Sequence, residues 1–555
     1  MQLPIGAMEF RDARAYPDVE TYVDKSAFIG RVLRSTARVL VFCRPRRFGK
    51  TLNITMLRDW LAGPIPSKTD VSEPFYGLAV QRDAAMTAER GQKSVLYLSL
   101  KGCKSLSWHD NLVALNAEVA EAWSRLGIPT RKVPAHLRQR IADLSVAKVE
   151  PGQAALSLRY MANAAAEVTG RPVWVLIDEY DAPIQTAWLH GHYPEAVAFF
   201  RTFLGSALKD SRAVHRAVLT GILRVAKEGL FSDLNNVVID TVLDRAFATD
   251  FGFTEDEVRA LAGDDPPFLD GLRHWYNGYA IGGQALYNPW SIANALRERG
   301  NGFKAHWMAS GGTEVIERIA TRFPTDAAIA MEQLLSGESV RVEVIEGVVL
   351  PEIQNDPSML ANLLLHTGYV TAVAVESGND RETAVLRVPN LEVHRSAAGL
   401  YRRLLAAALN VPDGSDKLIA ALLRGDQAIV QDALQRLVLH LVSYHDLADP
   451  TPERIYHMFV LGILTRLPPG YKVSSNREFG EGRPDIVIEA PSEGQPSALL
   501  EFKRDDSPQV ACAVAVQQIR DKRYVQGVRG QPVWAWAVGF AGKGKAVVVE
   551  LVGLG

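Results

Sequence analysis

The chain has 555 residues, 47% of them hydrophobic and 22% charged, and its 61 Lys and Arg against 63 Asp and Glu give a formal net charge of −2. This length exceeds what one hydrophobic core supports, so we expect several domains, and the near-zero charge excludes a polycation that binds nucleic acid over its whole surface. The three cysteines have no zinc-ligand spacing, the first residues lack a signal-peptide pattern, and no apolar run is long enough to cross a bilayer, so we expect a cytoplasmic protein without a membrane partner.

The first elements along the chain are those of an α/β layer. From about residue 20 to 245, short apolar runs alternate with long helical patterns, which predicts a parallel sheet covered by helices. The strands are expected at 39–42, 94–100, 173–177, 213–219 and 237–240.

The next elements are mainly helical. Thr254 and Glu257 have the spacing of a capping box, so a helix is expected to begin there. Helical periodicity dominates from about 315 to 450, and it is interrupted by a strand pair between about 369 and 388. An α/β pattern returns over 451–555.

The first strand leads into a candidate phosphate loop. Residues 44–51 read RPRRFGKT and precede a helical pattern. The backbone N–H groups of such a loop and the positive end of the following helix bind phosphates, Lys50 is expected to reach the β- and γ-phosphates, and the Thr51 hydroxyl is expected to hold Mg²⁺. The usual G-x-x-x-x-G-K-[ST] pattern has a glycine where this chain has Arg44, so this interpretation needs support from other motifs.

Acidic residues at the end of a later strand give that support. The strand at 173–177 ends in Asp178 and Glu179; in phosphoryl transfer the first such carboxylate holds the Mg²⁺ and the second orients the attacking water. A strand that ends in acids by chance is the alternative, but the pairing with the phosphate loop favours an ATP site. Thr220, after the next strand, is expected to sense the γ-phosphate. Arg224 is expected either to stabilise transition-state charge, in cis or toward a neighbouring subunit, or to be a structural ion-pair residue.

Several motifs in order resemble the AAA-ATPase-like family of bacterial P-loop proteins. They lie at 24–26, 44–51, 178–183, 220–224, 232–236, 251–254 and 275–279. The resemblance covers about residues 8–300, and because this family often reads RPRRFGKS at the loop, it implies that Arg44 is a family trait. Members commonly carry a restriction-like nuclease domain at the C-terminus. The ATP- and Mg²⁺-binding residues are then expected to be Arg46, Arg47, Phe48, Gly49, Lys50, Thr51, Asp178, Thr220 and Arg224. Arg46 and Arg47 could equally pair with acidic loops.

Two predicted strands near the C-terminus carry a second set of charged residues. Pro484 and Asp485 begin one strand, and Glu501, Phe502 and Lys503 lie on the next. Residues i and i+2 of a strand share a face, so the glutamate and the lysine point the same way, and the aspartate can meet the glutamate across a hairpin. Two carboxylates and the carbonyl of Phe502 would bind Mg²⁺, which activates water against a phosphodiester, and Lys503 would position that water or stabilise negative charge.

This arrangement resembles the PD-(D/E)XK nuclease superfamily, because the Pro-Asp and Glu-Phe-Lys runs match its motif literally. The resemblance implies a role for Glu453 on the first core helix and for Gln518, followed by Tyr524, on the helix after the core strands. An ordinary charged strand with a chance Glu-x-Lys triplet is the alternative. The expected catalytic residues are Glu179, Asp485, Glu501, Lys503, Glu453 and Gln518, and the expected metal ligands are Thr51, Asp178, Asp485 and Glu501.

We therefore expect an α/β protein with three parts: a P-loop AAA-ATPase-like domain at 8–250, a helical lid or winged-helix-like region at 251–450, and a restriction-endonuclease-like domain at 451–555. ATP binding and hydrolysis with Mg²⁺ would be coupled to Mg²⁺-dependent cleavage of nucleic acid, with DNA as the first candidate and RNA left open. The alternative is a nucleotide-dependent switch or scaffold that binds nucleic acid or partners without cleaving, with low or no ATP turnover. A homo-oligomer is compatible with either function.

Overall fold

A computed structural model describes most of the chain and divides it into two compact units, residues 1–319 with 333–397 and residues 320–332 with 398–555. The described residues are 9–15, 22–63, 73–147, 149–209, 211–224, 237–307, 314–320, 333–334, 337–345, 350–353, 358–377, 381–397, 415–444, 467, 470–475, 479, 481–541 and 546–553. No helix among them is both long and apolar enough to cross a membrane.

The strands described are β1 Val39–Cys43, β2 Ser94–Ser99, β3 Val173–Asp178, β4 Val214–Gly221, β5 Val237–Asp240, β6 Tyr279–Ile281, β7 Gln284–Leu286, β8 Val340–Glu343, β9 Thr371–Ser377, β10 Glu382–Arg387, β11 Lys472–Ser475, β12 Ile486–Glu489, β13 Ser497–Asp505, β14 Val533–Ala541 and β15 Val547–Leu551. The α-helices are α1 Phe10–Arg14, α2 Ala27–Arg34, α3 Lys50–Ala62, α4 Ala84–Glu89, α5 Trp108–Arg125, α6 Ala135–Ser145, α7 Pro151–Ala154, α8 Ser157–Thr169, α9 Ala182–His190, α10 Tyr193–Leu208, α11 Glu255–Ala262, α12 Pro266–Tyr276, α13 Pro289–Arg297, α14 Glu314–Ala320, α15 Leu350–Ile353, α16 Ser358–Thr367, α17 Ser415–Arg424, α18 Gln427–Tyr444 and α19 Pro508–Asp521.

The first unit contains a five-stranded parallel sheet in the order β2-β3-β4-β1-β5. Strands β1 and β3 are buried along their whole length, because strands of a parallel sheet are covered on both faces and therefore read as continuous apolar runs. The five strands predicted from the sequence are confirmed, and their ends shift by no more than two residues.

The register of this sheet brings its carboxyl ends together. Phe42 of β1 lies opposite Thr220 of β4, and Ser99 of β2 lies opposite Asp178 of β3. Helix α3 follows β1 directly and packs against β2, β3 and β4. The phosphate loop and the acidic end of β3 therefore share one edge of the sheet, where parallel α/β sheets place their ligands.

A helical segment and a small antiparallel sheet complete the first unit. Helix α11 begins with the expected capping box: the Thr254 hydroxyl accepts from the backbone N–H of Glu257, whose carboxylate accepts from the N–H of Thr254. The later order, α14, β8, α15, α16, β9 and β10, with the sheet β8-β10-β9, is that of a winged helix. The strand pair predicted near 369–388 is confirmed, whereas β8 lies in a stretch expected to be helical. Its four residues alternate apolar and charged, but they are too short a run to outweigh the helical periodicity around them.

The second unit is a mixed sheet in the order β11-β12-β13-β14-β15, parallel between β13 and β14 and antiparallel elsewhere. Helices α17 and α18 cover one face, where Leu422 and Val430 pack with Phe502 and Trp536. Helix α19 covers the other face, where Ile519 joins the apolar residues of the sheet. The α/β pattern expected from residue 451 onward is confirmed over its described part.

Glutamines of α18 close the edge of this sheet at β15. Gln431 donates to the carbonyl of Val547 at 2.7 Å and accepts from the N–H of Val549 at 2.7 Å. Gln427 and Gln435, one turn before and after, bond other backbone groups of the same strand. A primary amide carries both a donor and an acceptor, so this row of side chains satisfies groups that an edge strand otherwise leaves to solvent or to another chain.

Candidate functional site

The phosphate loop adopts the backbone that a phosphate-binding turn needs. Gly49 has φ 83° and forms the N-cap of α3, and Arg47 has φ 64°. The Lys50 ammonium is buried and donates to the carbonyls of Arg44 at 2.9 Å and Pro45 at 2.8 Å, while burial lowers its pKa. The first N–H groups of α3 have no partner within the helix, so this end of α3 is suited to an anion.

Arg44, which replaces the usual glycine, is a structural residue in this fold. Its side chain is 0% exposed and forms an ion pair with buried Asp240 at the end of β5. The guanidinium also donates to the carbonyls of Asp240 at 3.0 Å and Thr241 at 2.7 Å, and it lies 5.1 Å from the ring centroid of Phe251. Arg44 therefore ties the start of the phosphate loop to the segment that follows β5.

Three of the expected nucleotide-site residues meet at the carboxyl end of the sheet. Asp178 is buried, its Oδ2 accepts from the Thr51 hydroxyl at 2.6 Å, and its Oδ1 accepts from the Thr220 hydroxyl. Burial raises the pKa of Asp178, and the two hydroxyl donors oppose that shift. A carboxylate with a threonine hydroxyl beside it is a hard oxygen donor set, which fits Mg²⁺.

Glu179 differs from Asp178 in being open to solvent. Its side chain is 27% exposed, and its backbone has φ 52°, which is uncommon for a residue other than glycine. Lys104, in the loop after β2, donates to its Oε2 at 3.2 Å. The sequence interpretation did not include Lys104, because no local pattern shows that this loop lies beside the end of β3.

The two residues after Glu179 fix the turn that follows β4. The Tyr180 hydroxyl donates to the carbonyl of Leu223 at 2.7 Å, and the buried Asp181 carboxylate accepts from the N–H groups of Ile222 at 3.0 Å and Leu223 at 2.8 Å. A Cβ added at Gly221 would lie 2.6 Å from the Tyr180 ring, so this strand end must be glycine. Asp181 lies within the 178–183 motif, in which the sequence analysis assigned roles only to Asp178 and Glu179.

The turn leads to Arg224, which lies toward the winged-helix-like segment. Burial, together with the charge of Arg224, lowers the pKa of His366 in α16 to about 4. Arg224 and His366 both belong to the first unit. The two expected roles of Arg224, stabilising transition-state charge or forming a structural ion pair, both stay predictions.

The other loop residues expected to bind the nucleotide contact the segment that follows β5. The Arg47 guanidinium lies 3.8 Å from the ring centroid of Trp290. Asn288 donates to the carbonyl of Arg46 at 3.2 Å, and the Phe48 ring packs edge-on against Tyr279 with centroids 4.9 Å apart. The outer side of the phosphate loop is thus covered by residues that sequence reasoning had placed in a separate region.

The second charged cluster forms across the hairpin of β12 and β13. Asp485 Oδ2 accepts from the N–H of Phe502 at 2.7 Å, and Glu501 Oε2 accepts from the N–H of Asp485 at 3.4 Å. The Lys503 ammonium donates to Glu501 Oε1 at 2.7 Å and to the carbonyl of Phe502 at 3.1 Å. A cationic group thus already lies against two of the oxygens expected to bind a metal.

Burial also affects the protonation of Glu501. Glu501 is almost fully buried, and burial, followed by the nearby charge of Asp485, raises its pKa to about 7, against the opposing effect of Lys503. Two carboxylates and a backbone carbonyl are hard oxygen donors that fit a divalent cation completed by water. Among the described residues, no group of three or more His, Cys, Asp or Glu side chains is arranged to hold a metal ion.

Gln518 and Tyr524 lie beside this cluster. Gln518, in α19, donates to the Tyr524 hydroxyl at 2.8 Å. Burial raises the pKa of Tyr524, and the charges of Glu501 and Lys503 act on it. Glu453, the remaining residue expected here, lies outside the described residues.

Comparisons with known proteins agree with both parts of the chain. Residues 4–231 match the family model described as Predicted AAA-ATPase, and residues 451–550 match the PD-(D/E)XK nuclease superfamily. An "Uncharacterized protein in vnfD 5'region" of Azotobacter chroococcum mcd 1 is 27% identical, over 99% of this chain and 98% of its own length. That alignment runs through both matched regions and the segment between them.

A solved Signal Transduction ATPase with Numerous Domains (STAND) protein of Pyrococcus horikoshii, with a tetratricopeptide repeat sensor, is 12% identical with a TM-score of 0.25. The match covers 82% of this chain and 59% of that protein, and a similarity this low carries no structural argument. The two family models support a narrower conclusion: the chain contains an AAA-ATPase-like domain at residues 4–231 and a PD-(D/E)XK nuclease superfamily domain at residues 451–550.

Proposed function

We propose that the first unit binds and hydrolyses ATP with Mg²⁺, and that the nucleotide state controls Mg²⁺-dependent cleavage of nucleic acid, DNA in the first instance, by the second unit. The observation that supports this most is the meeting of Thr51, Asp178 and Thr220 beside a phosphate loop, in a chain whose other unit pairs Asp485 with Glu501. The three cysteines are buried free thiols, which is in keeping with a cytoplasmic location.

At the nucleotide site, Lys50 and the first N–H groups of α3 would bind the phosphates of ATP, and Thr51 and Asp178 would hold Mg²⁺. When bound, Mg²⁺ neutralises phosphate charge during transfer. Glu179 would orient the attacking water, because it is the exposed acid at the end of β3, whereas both oxygens of Asp178 accept hydroxyl protons. Thr220 would report the γ-phosphate to the turn held by Tyr180 and Asp181.

At the second site, Asp485, Glu501 and the carbonyl of Phe502 would hold Mg²⁺, which lowers the pKa of a bound water and polarises a phosphodiester. The raised pKa of Glu501 keeps part of this side chain protonated near pH 7. Because a carboxylate binds a metal ion in its deprotonated form, Glu501 must lose that proton when the metal binds. The Lys503 ammonium would leave its present oxygen partners for the attacking water or the developing negative charge. Gln518 would hold Tyr524 beside the carboxylates.

Two variants test whether the sites are separate. Lys50→Ala should abolish ATP binding, and Asp485→Ala should leave ATP binding and hydrolysis intact while removing Mg²⁺-dependent cleavage of DNA and RNA substrates. Nucleotide binding is measured by equilibrium titration, and cleavage is measured on labelled plasmid and RNA with and without ATP. Loss of ATP hydrolysis in Asp485→Ala would contradict a two-site protein.

A nucleotide-dependent switch with little turnover, acting on nucleic acid or on further copies of the chain, is the second candidate. The ion pair between Glu179 and Lys104 favours it, since a paired carboxylate is not free to orient water. Absence of cleavage with every divalent metal tested, together with intact ATP binding, would support the switch over the nuclease. Light scattering with and without nucleotide would then measure whether ATP changes the oligomeric state.

A further inference from the structure

A basic surface lies on the helices that join β2 to β3. Four of its residues are exposed and come from the turn at Thr130–Lys132 and from α6, and the fifth is half-buried on α8. The basic surface consists of Arg131, Lys132, Arg138, Arg140 and Arg159. Between residues 126 and 163 the sequence has these five and Lys148 against only Asp143 and Glu150, in a chain whose net charge is −2. Positive charge is thus concentrated in one part of a nearly neutral protein.

Two contacts bring these cations together. The guanidinium groups of Arg140 and Arg159 lie 4.6 and 5.5 Å from the ring centroid of the same residue, Tyr160. Arg138 Nε donates to the carbonyl of Val133 at 3.2 Å, which joins α6 to the turn that carries the other two cations. Helix α6 also packs against α8. The five cations therefore form one surface and are not scattered over the first unit.

The basic surface has no counter-charge in the described part of the chain. None of its five cations forms an ion pair with a carboxylate of the described residues. Two acids of the same helices have other partners: Glu167 lies 3.6 Å from His136, and Asp143 accepts a hydrogen bond from Gln139 at 2.9 Å. Because neighbouring like charges repel each other, this arrangement disfavours the folded protein on its own and favours a bound anion.

The charges also lie at the wrong end of α6 for helix stability. The N-terminus of a helix is its positive end and favours acids in the first turn, but α6 has no acid there. Arg131 and Lys132 lie in the turn just before it, and Pro134, at the N-cap, gives no side-chain hydrogen bond. Helix stability therefore does not explain these cations, whereas an anion that meets both the cations and the helix end does.

We propose that the basic surface binds the sugar-phosphate backbone of nucleic acid, so that the first unit holds the polymer by itself. Cations spread over a turn and two helices fit a polyanion better than a single small anion. An anionic membrane surface would need large apolar side chains exposed beside the cations, whereas Leu137, Ile141 and Leu144 of α6 are at most 4% exposed. The inference goes beyond the proposed function, because binding at this surface requires neither ATP hydrolysis nor cleavage.

The proposal is tested by fluorescence anisotropy of labelled duplex DNA with the full chain, in EDTA and without ATP, over a range of salt concentrations. Each lost phosphate contact flattens the plot of log K against log salt by about 0.9. Arg131→Gln/Lys132→Gln/Arg140→Gln should therefore flatten it by about 2 to 3 and weaken binding about tenfold or more at about 0.1 M salt. Lys132→Gln alone, in an exposed turn, should flatten it by about 1. The charge-conserving variant Arg131→Lys/Lys132→Arg/Arg140→Lys should bind as the parent does.

A matched control removes the same net charge elsewhere on the first unit. Arg259, Arg297 and Lys304 are exposed and each lies near a glutamate, so Arg259→Gln/Arg297→Gln/Lys304→Gln should keep the salt dependence of the parent. Equal weakening in the two triple variants would overturn the proposal, because net charge alone would then account for binding. An unchanged salt slope in Lys132→Gln and in the triple variant of the basic surface would overturn it as well.

Vesicles of phosphatidylserine and phosphatidylcholine in equal parts test the other polyanionic partner. Loss of vesicle binding with intact duplex binding, in the triple variant of the basic surface, would overturn the proposal in favour of a membrane surface. If the parent cleaves nucleic acid with no divalent metal, the proposed nuclease function fails. The salt slopes, measured without metal or ATP, still decide whether the basic surface binds the nucleic-acid backbone.

Discussion

Replacing Arg44 by glycine would restore the usual phosphate-loop pattern, and we predict that it would destabilise the first unit. The Arg44 guanidinium is fully buried against Asp240, which is itself buried. It also satisfies the carbonyls of Thr241 and Phe247, at 2.7 and 3.3 Å. A glycine would remove all of these bonds and leave a carboxylate inside the protein without its counter-charge.

The magnitude follows from that orphaned charge. Removing one partner of a buried ion pair costs about 3–5 kcal/mol, which lowers the ratio of folded to unfolded protein by roughly two to four powers of ten. Burial raises the pKa of Asp240, and the charge of Arg44 opposes that rise. Without Arg44, the pKa of Asp240 in the folded state rises further above its value in the unfolded state. The folded protein therefore loses stability as the pH increases through the folded-state pKa of Asp240. The damage should therefore be smaller at pH 5.5 than at pH 8.

Hydrogen exchange of the β1 and β5 amides measures the stability of the first unit alone. Unfolding of the whole chain would mix the stabilities of the two units. Protection should fall in Arg44→Gly and recover partly in the double variant Arg44→Gly/Asp240→Asn, where the orphaned charge is also removed. The reasoning would be refuted if the free energy of amide protection in Arg44→Gly stayed within about 0.5 kcal/mol of the parent value. Tighter ATP binding by Arg44→Gly would refute it as well.

Three further predictions concern the rest of the fold. Because burial and a neighbouring carboxylate raise the pKa of Glu501 to about 7, Mn²⁺ binding at the second site should weaken about tenfold per pH unit below 7, and a flat calorimetric profile would contradict this. Gly221→Ala places a Cβ 2.6 Å from the Tyr180 ring and should lower stability by about 1–3 kcal/mol, measured by amide exchange of β4. Gly205→Ala is the control: no atom lies within 4 Å of its added Cβ, so this change should be neutral or stabilising. Gln431→Leu should lower the free energy that protects the β15 amides from exchange by about 1–3 kcal/mol. Unchanged protection would show that water satisfies these backbone groups equally well.

The sequence was sufficient for features that are local or periodic. The five strands of the parallel sheet and the Thr254 cap are of this kind, because burial on both faces and a capping box leave short-range patterns. Arg44 was visible as an anomaly, but its partner Asp240 lies 196 residues away, so its role depends on β5 lying beside β1. Lys104 was missed for the same reason, since only the pairing of β2 with β3 brings it to Glu179.

The same long-range packing places the segment after β5 against the candidate phosphate loop. Besides the partners of Arg44, Arg46, Arg47 and Phe48, a Cβ added at Gly368, just after α16, would lie 2.9 Å from the side chain of Pro45. Helix α16 is largely buried and contains no lysine or arginine, so this helix offers no basic face to a nucleic-acid groove. Every residue from 44 to 48 is thus contacted by the segment after β5, and a rearrangement of the loop on binding ATP must be accommodated there. We therefore expect this segment to respond to the nucleotide.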